Sequence, residues 1–600
     1  MLRLISIIIF FSLFSFGAHC SAPIEWQKLL HYEKKGSGYT SLVENNEYFL
    51  TPKGRYSPKD EFEASITTFN QTTDTQKCNF PARFIYLKRK GLITGSLDNC
   101  KEYQQFLQDL QAKSVTMLFT NAYMSNPSSL FGHTLFRIDT NRKGTQLLSH
   151  GANFGANTQN DTGVLYALKG IYGKYYGAFT IKPYYDVINL YNNIENRDIW
   201  EYELNLDDKE LELFLALIWE QKKAKIRYYF FTKNCSYILL SILEATKPEL
   251  ELTNNFHIST APLSTLKSIN NIDGLIKNIN YRPSRQSKLA HRYNQMTKKQ
   301  KNVFTNIIKN NTINLQDLKD NEKSDILETA YQYIQYQYIK GDLELKTYRK
   351  KSFTLLKNRS KIKDNNLYFE DLKIGENPVL SHKQYGASIL FGSRNSKTFK
   401  EISIKPAYTD LLEQSYGMLN GAEINLLETK LRHYNYNNKF LLNELNLLSI
   451  KSLSGADIMF HPISYDIKIQ IKELFNPKTN KDTTSFVLET GAGQSYKITK
   501  NTLLYALSIP NLGYSGGLSE NGYIGFALKG GLYYNNNAFR LHTYAMQNFA
   551  TSYTSKGQTY SIEASYSLTN NLNLYAKHKY FNTSHNDDKE TSIGIKFNFL

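Results

Sequence analysis

Six hundred residues exceed one compact domain: at about 150 residues per domain the expectation is roughly four units, fewer if one is a large all-β unit. Lys and Arg number 72 against 54 Asp and Glu, a net charge of +18, and aromatics reach 14 %, with 44 Tyr, 34 Phe and 3 Trp. With 33 Gly and 4 Cys the chain is neither a collagen nor a disulfide-dense scaffold, nor is it a disordered acidic chain. Its Tyr-rich composition suits β-structure better than a helical bundle.

The N-terminus reads as an export signal. Arg3 precedes an apolar run from Leu4 to Phe16 broken only by Ser, and the mostly small residues Gly17-Ala18-His19-Cys20-Ser21-Ala22 follow. A charged start, a short apolar core and a small-residue zone make a signal peptide, residues 1–20, cut after Cys20. Lipidation of Cys20 is the alternative, and the bulky His19 fits it poorly. No later stretch is long and apolar enough for a membrane helix. With Cys20 removed, Cys78 and Cys100 suit a disulfide in an oxidising compartment, which leaves Cys235 odd: a buried passenger or a reactive thiol.

Three parts follow in chain order. Residues 21–280 read as mixed α/β. Val115–Phe119 and Thr134–Ile138 are expected strands, and Asp207 with Glu210 is a capping box opening a helix. Tyr228–Phe231 looks extended, and Ser236–Ala245 has the apolar density of a buried helix. Residues 281–375 read as a basic helical connector with a stripe at Tyr331, Ile334 and Tyr338. It is either a solvated spacer or a positively charged collar for anionic lipid headgroups. From 376 to 600 the period becomes two. Tyr560, Ile562, Ala564, Tyr566 and Leu568 alternate with Ser561, Glu563, Ser565 and Ser567, and the chain ends in alternating Ile593, Ile595, Phe597 and Phe599. About twelve strands are expected, starting near His382, Ile402, Glu423, Phe440, Tyr465, Ser485, Asn501, Tyr523, Asn537, Gln558, Asn571 and Ser592. Strand lengths of about 9–11 residues and Tyr near the strand ends (Tyr385, Tyr408, Tyr496, Tyr533, Tyr534, Tyr580) suit an all-β antiparallel transmembrane barrel with an aromatic girdle. A soluble sandwich is the competing arrangement.

Two segments carry chemistry. Ser125 to Leu130 is rich in small and turn residues and leads through Phe131-Gly132 to His133 at the mouth of a strand. Thr232-Lys233-Asn234 is a polar turn before an apolar helix, with Cys235 in its first turn. A helix N-terminus and a nearby imidazole both lower a thiol's pKa, so Cys235 and His133 form two halves of a thiol site. No metal-ligand spacing occurs, no cofactor is expected, and the Lys residues are interleaved with Asn in a way that does not suit nucleic acid.

The stretch Phe131-Gly132-His133-Thr134-Leu135-Phe136-Arg137-Ile138 is followed by Gly151-Ala152-Asn153-Phe154-Gly155-Ala156 and then Asn234-Cys235-Ser236. In that order these motifs resemble the Lnb-type N-terminal periplasmic domain family, as does Cys78-Asn79-Phe80-Pro81-Ala82-Arg83 upstream. The resemblance covers roughly residues 60–270. It implies an α+β, papain-like thiol domain, circularly permuted so that the His precedes the Cys. By the same resemblance Cys235 is the nucleophile, His133 the general base, and Asn153 the group that orients the imidazole, with His150 as rival. Asn153 and His150 are three residues apart and face opposite ways on a regular strand. Asn234 or the Cys235 N–H is expected to help hold an oxyanion. Members known as Lnb are linked to N-acylation of lipoproteins and continue into membrane helices, whereas this chain continues into what reads as a barrel.

The expectation is therefore an outer-membrane protein with a periplasmic thiol domain. Its function would be transfer of an acyl chain from membrane lipid to a lipoprotein acceptor through a thioester on Cys235. Hydrolysis of peptide or peptidoglycan is the alternative, and a non-enzymatic barrel with a binding domain the second. The aromatic segment Gly170 to Phe179 could line an acyl groove or form a Gly-hinged surface hairpin.

Overall fold

A computed structural model describes residues 22–71, 74–122, 131–141, 146–158, 161, 169–363, 366–367, 369–372, 375–406, 408–476, 481–516, 521–551, 556–582 and 587–599. The expected signal peptide with Cys20, and the lead-in from Ser125 to Leu130, lie outside the described residues.

The first layer is helical. Helices Pro58–Gln71, Asp74–Asn79, Pro81–Arg89 and Lys101–Leu110 precede the main sheet, and a disulfide joins Cys78 to Cys100 with the Cα atoms 5.2 Å apart. Arg83 is fully buried here between two carboxylates, 3.1 Å from Glu61 and 3.3 Å from Glu220. Glu220 also accepts from the Ala82 and Arg83 N–H groups, so this buried triad is held by hydrogen bonds as well as by charge.

Next comes a seven-stranded antiparallel sheet. Its strands are β1 (Ala112–Thr120), β2 (His133–Thr140), β3 (His150–Ala156), β4 (Tyr175–Pro183), β5 (Ile199–Leu204), β6 (Ile226–Tyr228) and β7 (Ile276–Arg282), in spatial order β6-β4-β3-β2-β1-β5-β7. One face packs on helices α1 (Asp208–Gln221) and α2 (Cys235–Thr246). Val115, Met117, Phe136, Ile138, Ala152 and Phe154 from the strands meet Phe214, Ile218, Ile238 and Leu239 there. The capping box of Asp207 and Glu210 is formed. Every residue of α2 is buried, and its one charged side chain, Glu244, pairs with Lys28 at 3.1 Å. Tyr228–Phe231 is extended only as far as Tyr228: Phe230 turns away to receive Gly170, whose Cβ would lie 2.4 Å from its ring. The segment from Gly170 to Phe179 runs into β4, an interior strand of the sheet.

The connector packs helices Arg285–Gln295, Lys298–Asn310, α3 (Asp320–Lys340) and α4 (Leu345–Arg359) around a separate core of Leu289, Phe304, Ile326, Leu327 and Ile334. The expected stripe is displaced: Ile334 is buried, Tyr331 half-buried and Tyr338 exposed, its ring stacked on Tyr348 at 4.5 Å.

The C-terminal part is a closed antiparallel barrel of twelve long strands. They are β8 (Tyr385–Arg394), β9 (Lys397–Lys405), β10 (Ala422–Tyr434), β11 (Lys439–Ser452), β12 (Ser464–Asn476), β13 (Lys481–Thr499), β14 (Thr502–Tyr514), β15 (Gly522–Asn535), β16 (Phe539–Ala550), β17 (Gly557–Thr569), β18 (Leu572–Asn582) and β19 (Asp588–Phe599). Closure comes from β8, which pairs with both β9 and β19. The expected strand starts fall within a few residues of these.

The polarity of this barrel is inverted relative to a soluble one. Ile389, Phe391, Ile402, Ile524, Ile562 and Ile593 are exposed on the outside, while Glu401, Lys451, Asp466, Lys529 and Arg540 are buried inside. An apolar outside and a polar lumen are what lipid requires. The segment after β9 folds back into the mouth where the chain enters the barrel. The Leu411 carbonyl accepts from Tyr533 (3.1 Å), the Leu412 carbonyl from Ser565 (2.6 Å), and Asp410 pairs with Lys596 (3.0 Å). Tyr533 is thus a luminal plug contact, and Tyr385 is buried against Ser259; neither belongs to a lipid-facing girdle.

The sheet domain is fastened to that same end. Lys267 donates to the carbonyls of Ser381 and His382, both at 2.6 Å, Ser264 bonds Gln384, and Tyr202 donates to Asn377 at 2.7 Å. Its hydrophobic core is continuous with Ile424, Leu426 and Ile450 of the barrel.

Candidate active site

Cys235 is the first residue of α2, and the local sequence explains why the helix starts there. The Asn234 side-chain oxygen accepts from the N–H groups of Ser236 (3.1 Å) and Tyr237 (3.3 Å), and its amide donates to the carbonyls of Phe230 (3.0 Å) and Thr260 (2.6 Å). Asn234 is an N-cap tied to two loops. Both of its amide donors are taken, which corrects the expectation that its side chain helps hold an oxyanion. The Cys235 N–H, in the first helical turn, needs no intrahelical partner and stays suited to that task.

His133 opens β2, paired in register with Thr120 of β1. Gly132 before it has φ of +81° and lies against Phe119, where an added Cβ would come within 2.7 Å of the ring. Both conditions demand glycine and aim the following imidazole. One ring nitrogen, Nε2, lies 2.7 Å from Asn153 Oδ1, which leaves Nδ1 for the Cys235 thiol, the group whose charge acts most strongly on the imidazole. Asn153 reaches the ring because Phe136 pairs with Ala152, so Asn153 stands beside Leu135 on the face that carries His133. His150 pairs with Ile138, one residue out of phase, and so projects from the opposite face; it does not reach His133.

The electrostatics follow from this placement. Burial, with 4 % of Cys235 exposed, pushes the thiol up. The charge and hydrogen bond of His133, a bond with the Ser236 hydroxyl and the Thr134 backbone N–H outweigh it and bring Cys235 down to about 6. For His133, burial pulls down, but the Cys235 thiolate raises it past its ordinary value, and the Arg197 charge trims that rise. Both shifts favour the thiolate–imidazolium form of the pair over the neutral one.

Two neighbours carried no sequence signal. Tyr191 lies with its ring 5.8 Å from that of His133. Arg197 is buried and donates to the carbonyls of Asn121 (2.7 Å) and Thr120 (3.2 Å), pinning the end of β1 beside His133. Thr134 donates to Ser236 at 2.9 Å, joining β2 to α2 next to the thiol. Phe131, two residues before His133, and Phe231, four residues before Cys235, meet edge to face at 6.1 Å. Among the described residues no group of His, Cys, Asp and Glu could hold a metal ion.

A thiol at a helix start, an imidazole at a strand start and an orienting amide on the next strand form one connected set. Residues 102–271 match the family model of the Lnb N-terminal periplasmic domain. The matched domain contains the whole thiol site. The Cys78–Arg83 segment falls outside it, within residues 19–90, which match a separate domain of unknown function; residues 279–368 and 375–597 match two more. No curated relative matches the chain. Among solved structures the barrel is similar to the KdgM porin, at 10 % identity and a TM-score of 0.23 over 36 % of this chain and 99 % of that one. It is also similar to outer membrane phospholipase A from Escherichia coli, at 9 % identity and a TM-score of 0.22 over 38 % and 94 %. A lipid-facing barrel and a domain that matches the periplasmic family model, fastened at one end of it, make this an outer-membrane protein with its N-terminal domain in the periplasm.

Proposed function

We propose that the protein is a cysteine-dependent acyltransferase that moves a fatty acyl chain from a membrane lipid to the α-amine of a lipoprotein. The observation that carries this reading is the Cys235–His133–Asn153 set, with its thiol lowered to about 6, fastened to the membrane-spanning barrel. The apolar ring pair of Phe131 and Phe231, close in sequence to His133 and Cys235, suits an acyl chain better than a polar substrate.

In the first half-reaction the Cys235 thiolate attacks the ester carbonyl of the donor. The Cys235 N–H faces the developing oxyanion. The C–O bond breaks, the leaving alkoxide takes the proton from the His133 imidazolium, and a thioester remains. In the second half the acceptor amine attacks the thioester, neutral His133 takes the amine proton, an amide forms and the thiolate departs. Asn153 holds the imidazole in one orientation throughout. Water in place of the amine would make the same site a hydrolase.

The test is mass spectrometry of a lipoprotein's N-terminal peptide from cells that lack their own N-acylation activity. The cells would express this protein or its Cys235→Ala form. An acyl chain on the α-amine only when Cys235 is present is the expected result. An unmodified amine in both strains, with Cys235 still reactive to a thiol probe, would turn the reading to hydrolysis.

A further inference from the structure

Helix α4 (Leu345–Arg359) carries Lys346, Arg349, Lys350, Lys351, Lys357 and Arg359, and no acidic residue. Its inner side is set by Ser352 and Leu355, which are buried, and by Tyr348 stacked on Tyr338 of α3. At 100° per residue the remaining face centres on Phe353, with Lys346, Arg349, Lys350 and Lys357 around it and Leu356 and Leu345 along one side. Phe353 is 69 % exposed and Leu356 47 % exposed. A solvated spacer would not keep Phe353 and Leu356 both exposed beside a row of four cations.

Position supplies the second argument. The connector is fastened to the barrel rim at the end where the chain enters it. Tyr333 of α3 donates to the Met459 carbonyl between β11 and β12 at 3.0 Å, and Phe460 packs edge-on to Tyr336 at 5.3 Å. Met459 and Phe460 belong to the connector's own core. A barrel rim lies at the bilayer surface, so α4 is one helix removed from a loop at lipid level. Basic side chains surrounding a shallow apolar centre are the pattern of a helix lying in an anionic interface.

We infer that the outer face of α4 is a membrane-surface site for anionic phospholipid headgroups of the periplasmic leaflet, with Phe353 and Leu356 inserted between them. The site rests on the barrel and not on the thiol chemistry.

The test uses the full chain carrying Phe353→Trp, reconstituted into vesicles, with the unsubstituted protein as the reference for Trp26, Trp200 and Trp219. In vesicles containing phosphatidylglycerol, brominated phospholipid should quench about half or more of the added Trp signal. That quenching should be lost in pure phosphatidylcholine at high salt. Replacing Lys346, Arg349, Lys350 and Lys357 together by Gln should abolish it while the barrel keeps its heat-modifiable gel mobility. Equal quenching in neutral and anionic vesicles would overturn the headgroup selectivity. Quenching by aqueous iodide but not by brominated lipid would overturn the site. Retention on isolated cell-wall sacculi without lipid quenching would reassign the face to peptidoglycan.

Discussion

Burial alone would push the Cys235 thiol up, and here the His133 imidazole, the Ser236 hydroxyl and the Thr134 N–H bring it down to about 6. The sign of the pH dependence follows. Thiolate is present above about 6 and lost below it, so alkylation of Cys235 by iodoacetamide should be half-maximal near pH 6. His133→Ala removes the opposite charge and leaves the burial, so the half-maximal pH should rise past that of an ordinary thiol, roughly 8.5. A half-maximal pH unchanged by His133→Ala would separate the two residues. At this scale the sequence was informative where a residue type was forced by its neighbours. Gly132 before a strand and Asn234 before an apolar run both marked real geometry, and the period-two argument separates Asn153 from His150 as the register does. Arg197 and Tyr191 were not legible. Tyr191 lies in the π-helical turn Asn189–Ile194 that follows β4 and Arg197 in the loop after it, and nothing in their spacing announces a place beside His133.

The helix that presents the thiol depends on its cap. Asn234 satisfies two N–H groups and two carbonyls at once, so Asn234→Ala should lower the stability of the sheet domain by about 2 kcal/mol, at the upper end for a cap. The denaturant midpoint followed by Trp fluorescence of that domain reads this, and an unshifted midpoint would show that the cap is replaced by water. Elements with strong local signals were legible: the Asp207–Glu210 capping box, the apolar α2, and the alternating strands with polar turns. The irregular pieces were not. The inward fold of Leu411 and Leu412 depends on luminal partners, Tyr533 and Ser565, more than a hundred residues away. For the same reason Tyr385 and Tyr533 resembled girdle residues by position alone. The stripe on α3 was misplaced because the connector's core lies toward Met459 and Phe460 of the barrel, a direction that no local pattern encodes.

Taken whole, the molecule is a thiol site carried at one end of a lipid-facing barrel whose mouth holds the Asp410–Leu412 turn. Lys267, Ser264 and Tyr202 tie the two together, and the hydrophobic core runs across the joint. Such fastening holds the site beside the periplasmic end of the barrel, which is the placement the proposed acyl transfer requires. The account therefore turns on whether Cys235 takes an acyl group from lipid. The purified full chain would be incubated in vesicles with a phospholipid of one defined acyl chain and no amine acceptor, then digested and weighed at the Cys235 peptide. The account predicts one added acyl group, released by hydroxylamine and missing in His133→Ala. An unmodified Cys235 peptide with the phospholipid intact, or the acyl group on any other residue, would contradict it.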